Sequence, residues 1–299
     1  MLHKDVIRRI HPTIKITGVL RFPYKIMKIG FIGSGLICEI ITQNILNSGL
    51  VKAEDIHITD IFKARENEMH ERYGLTVAAS KIDVIKAADI VFVCVRSDNA
   101  MDLAEELREI QPDFSNKVLI SISSGIPMKL YGDIFPDLAI ARALPNPPSR
   151  IGHGVVAVAF NKNVSDEQKA MLMQLFDSMG KAYMLDEEKI NVATATTGPA
   201  PVYAFFQAMV ESALLLGIDY KSASHMAFGT VEGCLKVWER QIDDIAGLLR
   251  ETSTPGGISV RQLYALEKRA FKAIVKENYE EGWSRTKAYS DAIRESLKK

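Results

Sequence analysis

A short apolar strand that ends in a glycine-rich turn and leads into a helix constrains the fold of this chain more than any other feature. The run Lys28–Gly33 is predicted as a strand, and Leu36–Ser48 has helical periodicity. Gly33 permits the tight turn, Gly35 lets a pyrophosphate approach the backbone, and the small Cys38 allows close packing of helix on strand. This context predicts a dinucleotide phosphate at the helix N-terminus, where free N–H groups favour an anion. A tight turn without a ligand is the alternative.

An acidic residue after the next strand bears on the choice of dinucleotide. Asp60 follows the predicted strand Asp55–Thr59. Such an acid accepts hydrogen bonds from the adenosine ribose and repels a 2′-phosphate, so it favours NAD over NADP. Lys63 and Arg65 follow closely and are able to reach a 2′-phosphate instead, and a turn or capping role for Asp60 is a further alternative. The sequence therefore predicts NAD(P)H as cofactor, with a preference for NAD.

The order of elements along the chain indicates two structural parts. Strands and helices alternate from Met27 to about Asp186, which predicts a Rossmann-type, doubly wound and mostly parallel sheet. The run Ala87–Val95 is typical of a central strand buried on both faces. Beyond Asp186 the periodicity is helical. The other predicted strands are Leu75–Ala79, Lys117–Ser123, Asp137–Ala143, Gly154–Ala159 and Lys181–Leu185, and the other predicted helices are Ala64–Tyr73, Val202–Leu216, Lys221–Gln241, Val260–Glu277 and Glu280–Leu297.

These patterns divide the chain into three segments. Residues 1–26 are basic, lack the apolar stretch of a signal peptide, and are expected to be a disordered leader. Residues 27–186 form the predicted dinucleotide-binding domain, and 187–299 form an all-helical domain. Because so short a helical segment makes only a thin core by itself, we expect its apolar side chains to pack against a second subunit as a homodimer.

The composition argues against several classes of function. Lysine and arginine number 37 and so do aspartate and glutamate, so the formal net charge is zero. That balance argues against a nucleic-acid or membrane-surface binder, which needs a basic surplus. No apolar run approaches the length that spans a bilayer, and we expect a cytoplasmic protein. Cys38, Cys94 and Cys234 have no histidine at ligand spacing, so we expect neither a metal site nor a disulfide framework.

Six further segments carry recognisable motifs. They are Ile120–Ile126, Arg142–Pro148, Gly152–Gly154, Leu185–Ile190, Ala195–Tyr203 and Ser253–Ser259. In this order and at these distances they resemble the pyrroline-5-carboxylate reductase family, from Met27 to near the C-terminus. The resemblance implies an NAD(P)H-dependent imine reductase that makes L-proline. It also implies a Rossmann domain followed by a helical domain that interlocks with a partner subunit.

The resemblance, carried over by position, assigns residues to the two ends of the site. The cofactor contacts are Gly33, Ser34, Gly35, Leu36, Ile37, Val95, Arg96, Ser124 and Asn146, beside the Asp60 already considered. The substrate contacts are Glu187, Gly256, Gly257, Ile258 and Ser259, with Ser259 as the expected catalytic residue. A Gly-Gly turn that opens a helix presents free N–H groups to a carboxylate, and the serine hydroxyl adds a donor. A plain helix start is the alternative for this loop.

Several positions depart from the family pattern near the expected substrate. Arg96-Ser97 stands where the family has Lys-Pro, Pro147 removes a hydroxyl, and Ile258 adds a bulky apolar side chain. Reduction of pyrroline-5-carboxylate is the favoured function. Reduction of another cyclic imino acid, or a nucleotide-binding paralogue without turnover, are the alternatives. A β-hydroxyacid dehydrogenase is disfavoured because residues 191–207 lack the lysine which that class needs.

Overall fold

One eight-stranded sheet organises the part of the chain that the structure describes. The structure is a computed structural model, and it describes residues 27–297. The leader expected over 1–26 lies outside the described residues. The strands are β1 (Ile29–Ile32), β2 (Ile56–Thr59), β3 (Thr76–Val77), β4 (Ile90–Val93), β5 (Val118–Ser121), β6 (Ala139–Pro145), β7 (Gly154–Phe160) and β8 (Gly180–Met184).

The sheet has the predicted doubly wound, mostly parallel topology. Its strand order is β3-β2-β1-β4-β5-β6-β7-β8, so the chain changes direction across the sheet between β1 and β4. Neighbouring strands are parallel except for the antiparallel pair β6 and β7. Folds of this kind bind ligands outside the carboxyl ends of the strands, at the point where the strand order reverses. The end of β1 at Gly33 and the end of β4 at Cys94 are therefore placed to form a site.

The central strands are buried on both faces, which explains their unbroken apolar sequences. Every residue of β1, β4 and β5 is buried. Phe31 of β1 stacks on Phe92 of β4 with ring centroids 4.9 Å apart, and Phe176 meets Phe92 edge-on at 6.5 Å. Aromatic contacts of this geometry add to the free energy of apolar burial. A rigid core therefore lies directly beneath the carboxyl edge of the sheet.

Helices cover both faces of this sheet. They are α1 (Leu36–Ser48), α2 (Lys63–Tyr73), α3 (Lys81–Ala87), α4 (Ala100–Ile110), α5 (Lys129–Gly132) and α6 (Asp166–Asp177). The bounds of α1 are those predicted, and Gly49 ends it in the left-handed conformation at φ +69°. The predicted strand Ala87–Val95 is shorter than expected, because Ala87 completes α3, whose start is capped by the Ser80 side chain.

The described residues beyond β8 form helices only. They are α7 (Glu187–Thr196), α8 (Ala200–Leu215), α9 (Tyr220–Arg240), α10 (Ile245–Glu251), α11 (Ile258–Lys268) and α12 (Phe271–Ser296). The predicted boundary between helices at 277–280 is wrong, because α12 runs through it without interruption. The chain turns instead at Arg269 and Ala270, where Ala270 adopts a left-handed conformation with φ +54°. An alanine has no intrinsic preference for that conformation, so packing rather than local sequence sets this break.

The helical part is divided between two environments. Ile190 of α7 and Ile293 near the end of α12 are buried in the core on one face of the sheet. By contrast, α8 and α11 contain no buried residue. Leu215 and Leu216 at the end of α8 are 88% and 85% exposed. An apolar surface this extensive on a folded chain marks an association surface.

Within residues 27–297, no helix is both long enough and apolar enough to cross a membrane.

Candidate functional site

The turn between β1 and α1 has the conformation that a phosphate loop requires. Gly33 has φ +95°, and a Cβ there would lie 2.8 Å from the carbonyl oxygen of Cys94. Glycine is therefore required by the backbone and by the neighbouring strand. At Gly35 a Cβ would meet nothing within 4 Å, and no side chain caps the start of α1. The open space beside uncapped N–H groups fits the pyrophosphate of a dinucleotide.

Asp60, at the end of β2, stabilises the glycine loop through hydrogen bonds to Ser34. Its Oδ2 accepts hydrogen bonds from the backbone N–H of Ser34 at 2.6 Å and from the Ser34 hydroxyl at 2.9 Å. Its Oδ1 accepts from the backbone N–H of Phe62 at 2.9 Å. Asp60 thus lies against the glycine loop, where the dinucleotide fingerprint places it, and it also stabilises the turn that follows β2.

The two cations that follow Asp60 both have acidic partners. The Lys63 ammonium lies 2.9 Å from Glu66, which is buried and also accepts from the backbone N–H of Asp60. Arg65 donates from Nε to the Ser34 carbonyl at 2.8 Å, and its two terminal nitrogens pair with Glu39 and Glu68. Each cation is therefore already paired with a carboxylate, which competes with any additional anion.

Glu39 accepts hydrogen bonds from three side chains. Arg65 and Arg72 each approach it at 2.5 Å, and the Tyr73 hydroxyl donates to it at 2.8 Å. Partial burial raises the pKa of the Glu39 carboxyl. The hydrogen bonds from Arg65 and Tyr73 and the charges of both arginines outweigh that effect, so its pKa lies below the ordinary 4.5. Glu39 is therefore held as a carboxylate, joining α1 to both ends of α2.

A cleft of about 250 Å³ opens beside the glycine loop. It lies between the first turn of α1, the ends of β5 and β6, and the end of α7. Its walls are mostly apolar with a few polar groups, as is typical of pockets for small ligands. The lining residues are Ile37, Ile122, Ser124, Leu144, Pro145, Asn146, Pro147, Thr194, Thr197 and Gly198.

Three residues predicted from the family resemblance line this cleft. Ile37 and Ser124 contribute directly to its walls. Asn146 also lines it, but its side chain is engaged in holding the walls together. It donates to the Thr197 carbonyl at 2.9 Å and accepts from the Val155 backbone N–H at 2.9 Å. Asn146 therefore connects the end of β6 to β7 and to the end of α7.

Val95 and Arg96 lie at the end of β4, near the cleft but outside its lining. The Val95 carbonyl accepts a hydrogen bond from the Ser123 hydroxyl at 2.8 Å, which joins the ends of β4 and β5. The Arg96 side chain is 84% exposed and lies 3.3 Å from Asp98. So exposed a pair contributes little to stability, which leaves the guanidinium able to reorient.

The residues predicted for the substrate end are not brought to the cleft within one chain. Glu187 accepts from the Met128 backbone N–H at 2.6 Å and faces Arg142 at 3.9 Å, at the opposite end of α7 from the cleft. The loop Gly256–Ser259 precedes and opens α11, and Ile258 is 79% exposed there. Residues beyond Gly198 contribute nothing to the cleft lining.

Sequence reasoning missed part of the cleft. Ile122, Leu144, Thr194 and Thr197 line it but were not singled out. The hydroxyls of Thr194 and Thr197 bond back to the Ile190 and Ala193 carbonyls. The motif Ala195–Tyr203 was a signal for this wall, since it begins one residue after Thr194. In the sequence, Ile122 and Leu144 look like ordinary strand residues, because only the fold shows that β5 and β6 end at the cleft.

Sequence reasoning also missed a buried charge. Arg142 on β6 is fully buried and donates from Nη2 to Asn191 Oδ1 at 2.7 Å. Its Nε and Nη1 make no hydrogen bond within the described structure. Burial lowers the pKa of Arg142 to about 10, against the opposing charge of Glu187. Arg142 therefore attaches α7, whose far end forms the cleft wall, to the middle of the sheet.

Metal ligands are not grouped in this region. Among residues 27–297, no cluster of three histidine, cysteine, aspartate or glutamate side chains could hold a metal ion.

Known proteins of one name resemble this chain along most of its length. The family model for pyrroline-5-carboxylate reductase dimerisation matches residues 187–289. Residues 28–125 match the model for coenzyme F420-dependent NADP oxidoreductases. The pyrroline-5-carboxylate reductase of Escherichia coli K12 is 28% identical over 258 residues, covering 84% of this chain and 93% of the relative. That of Methanosarcina acetivorans is 26% identical over 250 residues, covering 82% and 92%.

The chain is therefore similar to pyrroline-5-carboxylate reductases over most of its length. Solved structures show the same similarity. Plasmodium falciparum pyrroline carboxylate reductase, solved with NADP bound, is 25% identical with a TM-score of 0.78, covering 88% of this chain and 98% of the other. A Coxiella burnetii pyrroline-5-carboxylate reductase has the same fold, with 22% identity, a TM-score of 0.79 and coverage of 89% and 99%.

The match to a dimerisation model explains the exposed apolar helices. It covers α8 and α11, which bury no residue within one chain. The helical part of this chain is therefore a self-association region, as its apolar sequence predicted.

Proposed function

We propose that this chain reduces pyrroline-5-carboxylate to L-proline with NAD(P)H. The observation that carries the proposal is the cleft beside the glycine loop, at the carboxyl edge of the sheet. The space left open by Gly35 fits the dinucleotide phosphates, and Ile37 in the first turn of α1 also forms a wall of the cleft. A dinucleotide whose phosphates bind at the loop has its nicotinamide directed into that cleft.

The lining of the cleft suits a reaction that needs little acid–base catalysis. When bound, the reduced nicotinamide supplies the hydride that reduces the C=N carbon. A protonated cyclic imine already carries the charge that favours hydride acceptance. No residue that lines the cleft has an ionisable side chain. The contribution of this chain is therefore to exclude water with Ile122 and Leu144. The hydroxyl oxygens of Thr194 and Thr197, whose protons are donated to helix carbonyls, act as acceptors toward the substrate.

We propose that a second copy of the chain completes the substrate site. Ser259 and the Gly256-Gly257 turn present a hydroxyl and backbone N–H groups suited to a carboxylate. In one chain they lie outside the cleft, in a region whose exposed apolar helices self-associate. The partner subunit's Ser259 would then bind the substrate carboxylate over the cleft. In this arrangement Glu187 acts on the site by fixing the start of α7.

Between NAD and NADP, we propose that this chain prefers NAD. Asp60 lies at the loop and would repel a 2′-phosphate. Lys63 and Arg65, the alternative phosphate ligands, are both paired with carboxylates. The preference for NAD follows because Asp60 lies at the glycine loop and because Lys63 and Arg65 are each paired with a carboxylate.

We also propose a division of the chain into two domains, a cytoplasmic location and the absence of a nucleic-acid partner. The division into 27–186 and 187–299 is supported by the absence of strands after β8 among the described residues. The formal net charge of zero supports the absence of a nucleic-acid partner. The free thiols of Cys38, Cys94 and Cys234 support a location in the reducing cytoplasm. Cell fractionation tests the location, and electrophoretic mobility shift with plasmid DNA tests the absence of a nucleic-acid partner.

The experiment that tests the function follows the absorbance of the reduced nicotinamide. Purified protein is mixed with pyrroline-5-carboxylate and either NADH or NADPH, and with the six-membered analogue piperideine-carboxylate in parallel. We expect oxidation with pyrroline-5-carboxylate, faster with NADH. Oxidation only with the analogue would transfer the assignment to another cyclic imino acid, for which Pro147 in the cleft wall is the structural reason. Binding of nucleotide without oxidation of either would contradict the reductase assignment.

A further inference from the structure

Glu39, a largely buried carboxylate on α1, pairs with Arg65, the arginine beside the expected ribose position. Arg65 is in the first turn of α2, shortly after Asp60 at the end of β2. An arginine in this part of the fold is the group that accommodates a 2′-phosphate in NADP-dependent enzymes. Here its Nη2 donates to Glu39 Oε2 at 2.5 Å. The arginine is thus in the right region for a 2′-phosphate but already has a counter-ion.

The position of the Arg65 guanidinium is defined by three acceptors. Nε donates to the Ser34 carbonyl at 2.8 Å, which places the group on the glycine loop itself. Nη1 lies 2.6 Å from Glu68, whose side chain is 54% exposed. The Glu39 side chain is only 13% exposed. Because water screens exposed pairs, Glu39 rather than Glu68 supplies most of the neutralising interaction.

We infer that Glu39 is a determinant of dinucleotide specificity, because it holds Arg65 against α1 and so deprives a 2′-phosphate of its counter-ion. The inference rests on the proposed function only in that a dinucleotide binds at the glycine loop. Asp60 and Glu39 then act on the same discrimination in different ways. Asp60 repels the phosphate directly, whereas Glu39 acts through the positioning of Arg65.

The test measures binding of NAD⁺ and NADP⁺ by titration calorimetry on the full chain. Glu39→Gln keeps the shape of the side chain but removes its charge, which leaves Arg65 available to a phosphate. Since a charge-assisted arginine–phosphate contact is strong, we expect the Kd for NADP⁺ to fall about ten-fold. We expect the Kd for NAD⁺ to change less than about two-fold, because NAD⁺ has no group for Arg65 to bind.

Two further variants separate specificity from a general displacement of α2. Arg72→Gln combined with Tyr73→Phe removes the other two donors to Glu39 and leaves the Arg65 pair in place. This double variant should keep the wild-type ratio of the two Kd values. Glu39→Gln combined with Arg65→Met should lose the gain in NADP⁺ affinity. An unchanged ratio in Glu39→Gln overturns the inference, and so does an equal change in the Arg72/Tyr73 variant or a gain that survives the loss of Arg65.

The binding measurement also distinguishes this inference from the reductase assignment. It requires no turnover, so failure to reduce an imine would overturn the proposed function and leave the role of Glu39 intact. Tighter binding of NADP⁺ than of NAD⁺ by the unaltered chain would overturn both the role of Glu39 and the cofactor preference, without affecting the assignment as a reductase.

Discussion

The sheet part of this chain and its outer helices, α8 and α11, are both rich in apolar residues. The apolar side chains of the central strands are buried within one chain, whereas those of the outer helices are exposed. All residues of β1, β4 and β5 are buried within one chain, whereas α8 and α11 bury none. A strand in the middle of a covered sheet is surrounded by residues of the same chain. A helix that extends away from the sheet lacks such contacts, so its apolar side chains are buried only against another subunit. The sheet part is therefore complete in one chain, and the helical part requires a second copy.

The largest effect is expected when charge is introduced on the outer helices. Leu215→Glu combined with Leu216→Glu adds two carboxylates at positions 88% and 85% exposed in one chain. Because a buried unpaired charge is very costly, we expect dissociation of the oligomer and at least about a hundred-fold loss of activity. Sedimentation velocity and the nicotinamide assay measure the two effects. Ile110→Glu, an exposed apolar residue of the sheet part, is the matched control and should cause neither.

The second prediction compares two glycines in one loop. Gly35→Val should weaken dinucleotide binding by about a hundred-fold or more with little change in Tm, because a Cβ at this position has no neighbouring atom within 4 Å and enters the space expected for the ligand. Gly33→Val should instead destabilise the fold by about 3 kcal/mol, since it combines φ +95° with a contact at 2.8 Å. Calorimetric titration and thermal unfolding separate the two. Equal losses of stability would show that the loop has no open ligand face.

The third prediction concerns two asparagines that are each 7% exposed. Asn191→Asp supplies a charge to Arg142, which is buried and has two unsatisfied nitrogens, so we expect stabilisation by about 1 kcal/mol. Asn44 donates to the Ile40 and Ser149 carbonyls, which a carboxylate cannot do, so Asn44→Asp should destabilise by about 2–3 kcal/mol. Chemical denaturation measures both changes in the free energy of unfolding. The same sign in both variants would contradict this account of Arg142.

The smallest expected effect is at the substrate end. Ser259→Ala should raise the KM for pyrroline-5-carboxylate about five- to ten-fold through loss of one hydrogen bond to a charged group. Dinucleotide affinity should be unchanged, because Ser259 lies outside the cleft of its own chain. Steady-state kinetics and titration with NAD⁺ test the two statements. Ser253→Ala, at the other end of the same loop, is the control, and an equal rise in KM there would remove Ser259 from the site.

Much of the candidate site could be predicted because its signals are local. Gly33, Gly35 and Asp60 stand at strand ends whose spacing encodes the turn and the helix, and the structure places all three together. Thr194 and Leu144 could not be found in this way, because they meet only when α7 packs across the end of β6. The break at Ala270 was missed for a similar reason, since its left-handed conformation has no local sequence signal.

Local sequence was enough to specify the alternation of strands and helices, the glycine loop and the excess of apolar side chains in the C-terminal part. Each of these depends on the conformational and hydropathic properties of residues close together in the chain. The three-dimensional fold was needed to show that Arg65 is paired with Glu39, that Arg142 is buried beneath α7, and that Ser259 lies away from the cleft. Those facts depend on which distant residues become neighbours, because the strength of a charge interaction is set by distance and burial rather than by position in the sequence.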